Sequence, residues 1–212
     1  MIENNTFIKS KYFYLFIIVS LSLLFIEQTG TDFLYYYLPT GEYLLENLSF
    51  PKQLAPSYID SPMAYPPIEF IFIGLFKFLL NDFGIKVYYI LKIFVFFILF
   101  FELSKFSKNK KIFDLFLLIP SFLMFSTIFN NDLNIVISIL SILLFLQNEK
   151  KYKLVLIFGV SFGLLSKYTF WPIYFFVLCY LFLKKKNWKP FFFTSLVILP
   201  FLIKNYYLYN NP

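Results

Sequence analysis

The chain has 212 residues, of which 59% are hydrophobic, 25% are aromatic and only 15% are charged, and its formal charge is +7. Soluble domains usually contain about 25% charged residues, so the composition argues against a soluble enzyme, a disordered tail or a disulfide scaffold. The sequence has no histidine and one cysteine, Cys179, which excludes histidine-based catalysis, histidine metal sites and an intrachain disulfide. The 19 basic residues are all lysine and gather at the ends of apolar runs. That placement is typical of membrane topology signals rather than of nucleic-acid binding.

Seven apolar runs predict membrane-spanning helices. The first, Tyr12–Ile26, is followed by no small-residue cleavage site, so we expect an uncleaved helix with its N-terminus in the cytoplasm. The other runs are Val87–Leu103, Ile112–Phe129, Leu133–Gln147, Leu154–Ser166, Tyr168–Leu183 and Pro190–Ile203. The runs at 133–147 and 154–166 are shorter than the roughly 17–25 residues of a full span. A single long element over 154–183 is therefore an alternative.

The lysines predict how these helices are oriented. Three lysine clusters lie at 105–111, 150–153 and 184–189 and are expected to be cytoplasmic by the positive-inside rule. The segment 27–64 carries mostly acidic residues and is expected outside the cytoplasm. The turns at 130–132 and 166–168 and the C-terminal residues then fall on the outer side as well.

The apolar stretch Pro66–Gly84 could be read as a further span, which would invert every later lysine cluster. Its core, Ile68–Leu80, has only 13 residues and includes Glu69 and Lys77. We therefore predict an element that lies at the outer surface or re-enters the membrane. Earlier in the same loop, residues 32–47 carry an apolar stripe broken by a proline and a glycine, which predicts two short surface helices.

The sequence thus predicts an all-α polytopic membrane protein with about seven transmembrane helices and a single domain over 1–212. The first span is 12–26, the outer loop with its interfacial helices is 27–86, and six further spans occupy 87–203. The last residues, 204–212, form an outer end. No Walker loop, GxGxxG, CxxC, HExxH or GxSxG motif is present.

Two aspartates on the predicted outer side are candidates for chemistry. Asp32 follows the first helix and precedes three tyrosines, including Tyr36. A partly buried carboxylate there can act as a general base, and its structural alternative is an N-cap of the following helix. Asp132 lies in the polar turn Asn130–Asn134. It can bind a sugar, a metal or an acceptor peptide, and its structural alternative is a turn and helix cap.

Isolated lysines and a proline pair complete the candidate site. Lys167 stands alone between two apolar runs, where an ammonium suits a lipid phosphate; the alternative is a lysine that snorkels to the interface. Lys86 begins the second span on the same side, and Lys92 lies about two turns deeper, where it could face a polar cavity. Tyr65 precedes two prolines that suit a helix start, and a plain turn is the alternative.

In chain order, the sequence shows an acidic outer loop with Asp32, Tyr65-Pro66-Pro67, the stretch Asn131–Asn134, the stretch Gly163–Thr169, and Pro200–Asn205. This ordered set, over about residues 12–212, resembles the integral-membrane glycosyltransferases of the GT-C fold. Within them it is most similar to the polyprenyl-phosphate-mannose and protein O-mannosyltransferase-like groups.

The resemblance implies a multi-pass enzyme of the cell membrane whose active face is extracytoplasmic. It would move a mannose-like hexose from a polyprenyl-phosphate donor to a hydroxyl of an acceptor glycan, lipid or protein, with membrane lipid around it and no nucleic-acid partner. Asp32 would be the catalytic base and Asp132 the second acid. Lys167 would hold the carrier phosphate, helped by Lys86 or a divalent metal, while Tyr65 and Tyr36 would line the substrate site.

Two features of the sequence depart from that family. The chain has no arginine, although the family often uses one near the phosphate, and relatives usually continue beyond the position of Pro212. The resemblance therefore leaves three functions open. The chain is an enzyme by itself, or a non-catalytic subunit or truncated remnant that binds carrier lipid. The third function is a transporter or flippase, which would place its charges nearer the middle of the bilayer.

Overall fold

A computed structural model describes residues 7–23, 33–49, 67–106, 133–166, 171–186 and 188–209. These residues contain eight α-helices and no β-strand: α1 (Lys11–Leu23), α2 (Leu38–Asn47), α3 (Ile68–Leu80), α4 (Asp82–Phe106), α5 (Leu133–Gln147), α6 (Lys153–Leu164), α7 (Trp171–Lys185) and α8 (Lys189–Tyr209). A π-helical segment, Phe33–Tyr37, leads directly into α2. The predicted all-α class is confirmed. The predicted span Ile112–Phe129 lies outside the described residues.

One helix in the described part of the chain, α4, is long and apolar enough to cross a membrane. Its 25 residues extend over about 37 Å at 1.5 Å per residue, which exceeds the roughly 30 Å of a bilayer core. The other apolar helical stretches of the described residues are shorter, at 10–17 residues each. The structure places α4 at the centre of the largest apolar core, which it shares with α1, α3 and α5.

Contacts at both ends of α4 fix the directions of its neighbours. Tyr12 packs near Phe101, with ring centroids 6.2 Å apart, and Phe16 packs near Phe94 at 5.1 Å, so α1 runs antiparallel to α4. Near the start of α4, Tyr88 and the first residues of α5 bind the same carboxylate. Near its end, Gln147 donates a hydrogen bond to Glu102. Helices α4 and α5 therefore run in the same direction.

Small residues bring α5 and α6 close together. These helices form an antiparallel hairpin in which the Ser138 hydroxyl donates to the backbone oxygen of Gly159. A Cβ at Gly159 would collide with Ser141, and one at Gly163 would collide with Ser138 and Tyr174. Such small-residue contacts are typical of helix packing in membranes, where lipid is as apolar as the helix surfaces.

The element at Ile68–Leu80 forms a separate helix rather than part of a longer span. Helix α3 has 13 residues, or about 20 Å, and ends at Asn81, whose backbone takes a positive φ of 53°. Helix α4 begins at the next residue and extends five residues before the predicted start of that span. The alternative of one long element over 154–183 is wrong, because α6 ends at Leu164 and α7 begins at Trp171.

Helices α2 and α3 touch through their backbones. Gly41 lies in α2 and Gly74 in α3, and a Cβ added to either would overlap backbone atoms of the other helix. In the sequence, Gly41 only interrupts the apolar stripe of residues 32–47. The structure gives it a packing role, because only glycine permits this approach.

Replacing Gly74 by alanine is expected to destabilise the fold by about 1–3 kcal/mol, because the opposing Gly41 backbone cannot move aside as a side chain would. Thermal unfolding of the protein in detergent measures this change. Leu75→Ala is the matched control, since Leu75 is the next residue of α3 and is exposed. Equal unfolding temperatures for the two variants would show that the helices do not approach through these glycines.

The described charges divide between the two ends of the bundle. The end where Glu102 meets Lys105 and Gln147 is here called the lysine-rich end. Its basic residues include Lys9, Lys11, Lys105, Lys150, Lys151 and Lys153. At the opposite end, Lys77 forms ion pairs with Asp82 and Glu42. The membrane orientation that the lysine clusters predict stays a prediction.

Candidate functional site

A buried carboxylate organises the end of the bundle opposite the lysine-rich end. Glu69, in the first turn of α3, is only 1% exposed. Its Oε1 accepts hydrogen bonds from the hydroxyl of Tyr88 and from the backbone nitrogen of Leu133, the latter at 2.9 Å. Its Oε2 accepts from the backbone and side-chain nitrogens of Asn134, at 3.1 and 2.7 Å. One side chain thus joins α3, α4 and α5.

Glu69 supplies hydrogen-bond acceptors to the first N–H groups of α5. The first N–H groups of a helix have no partner within that helix, and its N-terminus carries a partial positive charge that favours an anion. Glu69 supplies the acceptor and the negative charge from a different helix. Glu69 therefore caps the N–H groups of Leu133 and Asn134. The sequence had suggested a capping role for Asp132. Asn134 is fully buried, and its Oδ1 has no hydrogen-bond partner among the described residues.

The C-terminal end of α6 also contacts the start of α3. The backbone nitrogen of Ile68, next to Glu69, donates to the carbonyl oxygen of Leu165 at 3.2 Å. The rings of Phe72 and Phe162 lie 6.3 Å apart. The indole nitrogen of Trp171 donates to the carbonyl oxygen of Leu164 at 2.7 Å, which holds the start of α7 against the end of α6. Segments distant in the chain therefore converge on the start of α3.

Four of the predicted site residues lie outside the described residues, namely Asp32, Tyr65, Asp132 and Lys167. Their described neighbours in the chain lie at this convergence. Three segments adjoin these residues: Pro67 and Ile68 follow Tyr65, Leu133 follows Asp132, and Ser166 precedes Lys167. The segment that follows Asp32 reaches the same helix, since the rings of Tyr37 and Phe70 lie 5.0 Å apart.

The two remaining predicted residues, Tyr36 and Lys86, lie within the described part of the chain. Tyr36 is half-buried in the π-helical segment before α2. Lys86 is exposed, whereas Tyr88, two residues further along α4, is fully buried. Residues two apart on a helix point to nearly opposite faces, so Lys86 does not face the interior that holds Glu69. Their substrate-binding roles stay predictions.

Lys92 is buried against an aromatic ring rather than facing an open cavity. It is 0% exposed, and its ammonium nitrogen lies 4.2 Å from the ring centroid of Tyr89. A lysine over a ring face is attracted by the negative charge of the π system. This contact lies one turn further along α4 than Tyr88, so a cationic group and the Glu69 carboxylate occupy the same half of the bundle.

Two cavities open between the described helices. An apolar groove of about 370 Å³ runs between α6, α7 and α8, and its lining includes Leu164, Trp171, Phe175 and the hydroxyl-bearing Thr194. A more polar cavity of about 290 Å³ lies between α2 and α3. Within the described ranges, no group of three or more Cys, Asp or Glu residues could hold a metal ion.

Glu69 was the residue that the sequence analysis missed. In the sequence, Glu69 served only as a charge that argues against a full membrane span at Ile68–Leu80. Ionisable residues in apolar membrane segments are costly and commonly functional, so its position directly after two prolines was a usable signal. Its partners could not be predicted, because they are 19, 64 and 65 residues away in the chain.

A scan against protein-family models, a search of curated proteins and a search of solved structures found no match to the chain.

Proposed function

We propose that the chain is a multi-pass glycosyltransferase of the cell membrane, with seven spans and a cytoplasmic N-terminus. It transfers a mannose-like hexose from a polyprenyl-phosphate donor to an acceptor hydroxyl on the extracytoplasmic face. Asp32 is the general base and Asp132 the second acid. Lys167 holds the carrier phosphate, and Tyr65 and Tyr36 line the substrate site.

The observation that carries this proposal is the convergence at the start of α3. The hydrogen bonds of Ile68 and Glu69 bring together Leu165 and Leu133. These residues are close in the chain to Tyr65, Lys167 and Asp132. A tyrosine, a carboxylate and an ammonium that followed their described neighbours to this point would be the groups that a phosphate-linked sugar donor requires.

The orientation of the helices supports the proposed membrane arrangement. Helix α5 follows α4 in the same direction from Tyr88 to Glu102, about 21 Å apart along the helix axis. It therefore covers much of the depth that α4 covers. If the chain crosses the membrane, two helices that run in the same direction need one span between them that runs the opposite way. The lysines at the end of α4 and in the α5–α6 turn then face the cytoplasm.

The apolar groove supports a lipid-linked donor. Leu164 and Trp171 line the groove and flank the segment that contains Lys167. A phosphate bound at Lys167 would leave its isoprenoid chain beside this groove. The hydroxyls of Thr194 and Ser195 are the polar groups of an otherwise apolar lining.

The chemistry is a single displacement. The acceptor oxygen attacks the anomeric carbon as the bond between that carbon and the phosphate oxygen breaks. Asp32 takes the acceptor proton, and Lys167 offsets the charge that develops on the departing polyprenyl phosphate. Binding donor and acceptor at one end of the bundle supplies the orientation of the reacting atoms.

The purified 212-residue chain in proteoliposomes tests this function directly. Radiolabelled polyprenyl-phosphate mannose is supplied together with a panel of glycan and peptide hydroxyl acceptors, and transfer of the label is measured. Protein-dependent transfer is the expected result. Saturable donor binding without transfer to any acceptor would instead support the non-catalytic lipid-binding subunit, a function that the apolar groove alone would serve.

A further inference from the structure

Three segments that are far apart in the chain bring lysines to the lysine-rich end of the bundle. The ring centroid of Phe101, near the end of α4, lies 5.6 Å from that of Phe7 and 6.2 Å from that of Tyr12, so the start of α1 lies beside the end of α4. The hydrogen bond from Gln147 to Glu102, at 2.6 Å, brings the α5–α6 turn to the same place. The lysines of these three segments are Lys9, Lys11, Lys105, Lys150, Lys151 and Lys153.

The acidic residues at this end do not balance its lysines. Among the described residues, the acids here are Glu102 and Glu149, against six lysines. Glu102 is only 8% exposed, and it binds Lys105 at 2.7 Å as well as Gln147. Lys9 and Lys150 are exposed and form no ion pair with a described residue. This end of the described bundle therefore presents net positive charge to its surroundings.

The opposite end differs in this respect. The ammonium of Lys77 is held there by two carboxylates, those of Asp82 and Glu42. Its charge is therefore offset within the protein. An anion that approaches the bundle is attracted to the lysine-rich end and not to the surroundings of Lys77.

Aromatic and apolar side chains accompany the lysines. Three ammonium nitrogens lie 5.5, 4.4 and 4.9 Å from ring centroids, in the pairs Lys11–Tyr12, Lys105–Phe101 and Lys151–Tyr152. Three large apolar residues on the same segments are more than half exposed, namely Ile8, Phe106 and Leu154. Lysines next to aromatic and apolar groups are typical of the membrane interface, where the stem lies against lipid and the ammonium reaches the headgroups.

The chemistry of this surface selects its partner. A lysine ammonium is a compact point charge with three donors, and it binds phosphate oxygens well. Phosphate groups occur in nucleic acids and in phospholipids, but a nucleic acid would leave Ile8, Phe106 and Leu154 in water. A phospholipid leaflet offers phosphates to the lysines and hydrocarbon to these apolar side chains. Net positive charge favours lipids with net negative charge over zwitterionic ones.

We propose that the lysine-rich end is a binding surface for anionic phospholipids of one membrane leaflet, whose phosphates contact the exposed lysines of α1 and of the α5–α6 turn. This surface goes beyond the proposed sugar transfer and uses none of the residues assigned to it. Because the lysines belong to three segments, bound lipid also holds the ends of α1, α4 and α5 together. Anionic lipid should therefore raise the unfolding temperature of the protein.

Electron paramagnetic resonance of the full chain in phosphatidylcholine vesicles at low ionic strength tests this surface. The association of spin-labelled phosphatidylglycerol with the protein is compared with that of spin-labelled phosphatidylcholine. Phosphatidylglycerol should associate more tightly, and its advantage should vanish at 1 M salt, where the screening length is about 3 Å. Lys150→Gln is expected to weaken its association by about fivefold. Lys150→Arg keeps the charge and should keep the association.

The matched control is Lys86→Gln, since Lys86 is an exposed lysine at the start of α4, at the other end of the bundle. It removes the same charge and should weaken the association less than about twofold. Lys9→Gln repeats the test on α1. Equal losses in Lys86→Gln and in the two lysine-rich-end variants, or equal association of the two lipids, would overturn the proposed surface. Sugar transfer is measured in the same vesicles, and its absence beside a preference for phosphatidylglycerol would reject the proposed function alone.

Discussion

Replacing Asp32 by asparagine is expected to lower the turnover of sugar transfer by about 10²- to 10⁴-fold, the usual contribution of a general base. Asparagine keeps the size and hydrogen-bonding shape of the side chain but cannot accept the proton that leaves the acceptor hydroxyl. Donor binding should persist, because the carrier phosphate is assigned to Lys167. The loss should therefore appear in kcat rather than in the KM for donor.

Initial rates in proteoliposomes, at saturating polyprenyl-phosphate mannose, measure this effect. Glu46→Gln is the matched control, since Glu46 is an exposed acid of α2, in the same predicted loop, and borders the polar cavity. It should retain wild-type turnover. Full turnover in Asp32→Asn would remove Asp32 from the mechanism.

Replacing Lys167 by glutamine is expected to lower kcat by about 10²- to 10³-fold, the usual loss when one group that stabilises developing charge is removed. The leaving group is a phosphate, so the ammonium is needed most as the bond to the anomeric carbon breaks. Lys167→Arg keeps the positive charge and should restore a large part of the rate.

The matched control for this change is Lys153→Gln, which removes one lysine from the lysine-rich end. Both variants are assayed for transfer and for binding of labelled donor. If the two glutamine variants lose the same fraction of activity, removing any one lysine lowers the rate equally. Lys167 would then have no specific role at the leaving phosphate.

Elements with strong apolar patterns were predictable. Helix α5 begins and ends at the predicted residues, Leu133 and Gln147, because polar residues precede it in the sequence and Asn148 follows it. Helix α4 begins earlier than predicted, at Asp82. Residues 81–86 were expected to belong to the loop 27–86, but the tight turn at Asn81 lets the helix start at once.

Contacts between distant segments were not predictable. The backbone contact of Gly41 with Gly74 and the binding of Glu69 to Leu133 depend on how helices cross. A single sequence records the periodicity of each helix but not which neighbour it meets. The sequence therefore predicted a set of candidate residue types, while the contacts of the Glu69 carboxylate emerged only from the structure.

Cysteine labelling in intact cells tests the proposed membrane orientation most directly. Asn47, at the end of α2, and Asn148, in the turn between α5 and α6, are both exposed and lie at opposite ends of the bundle. Each is replaced by cysteine in a Cys179→Ser background and treated with a membrane-impermeant maleimide. The predicted result is that Asn47→Cys reacts in intact cells and Asn148→Cys reacts only after permeabilisation. Reaction of Asn148→Cys in intact cells would contradict the orientation and, with it, the extracytoplasmic transfer site.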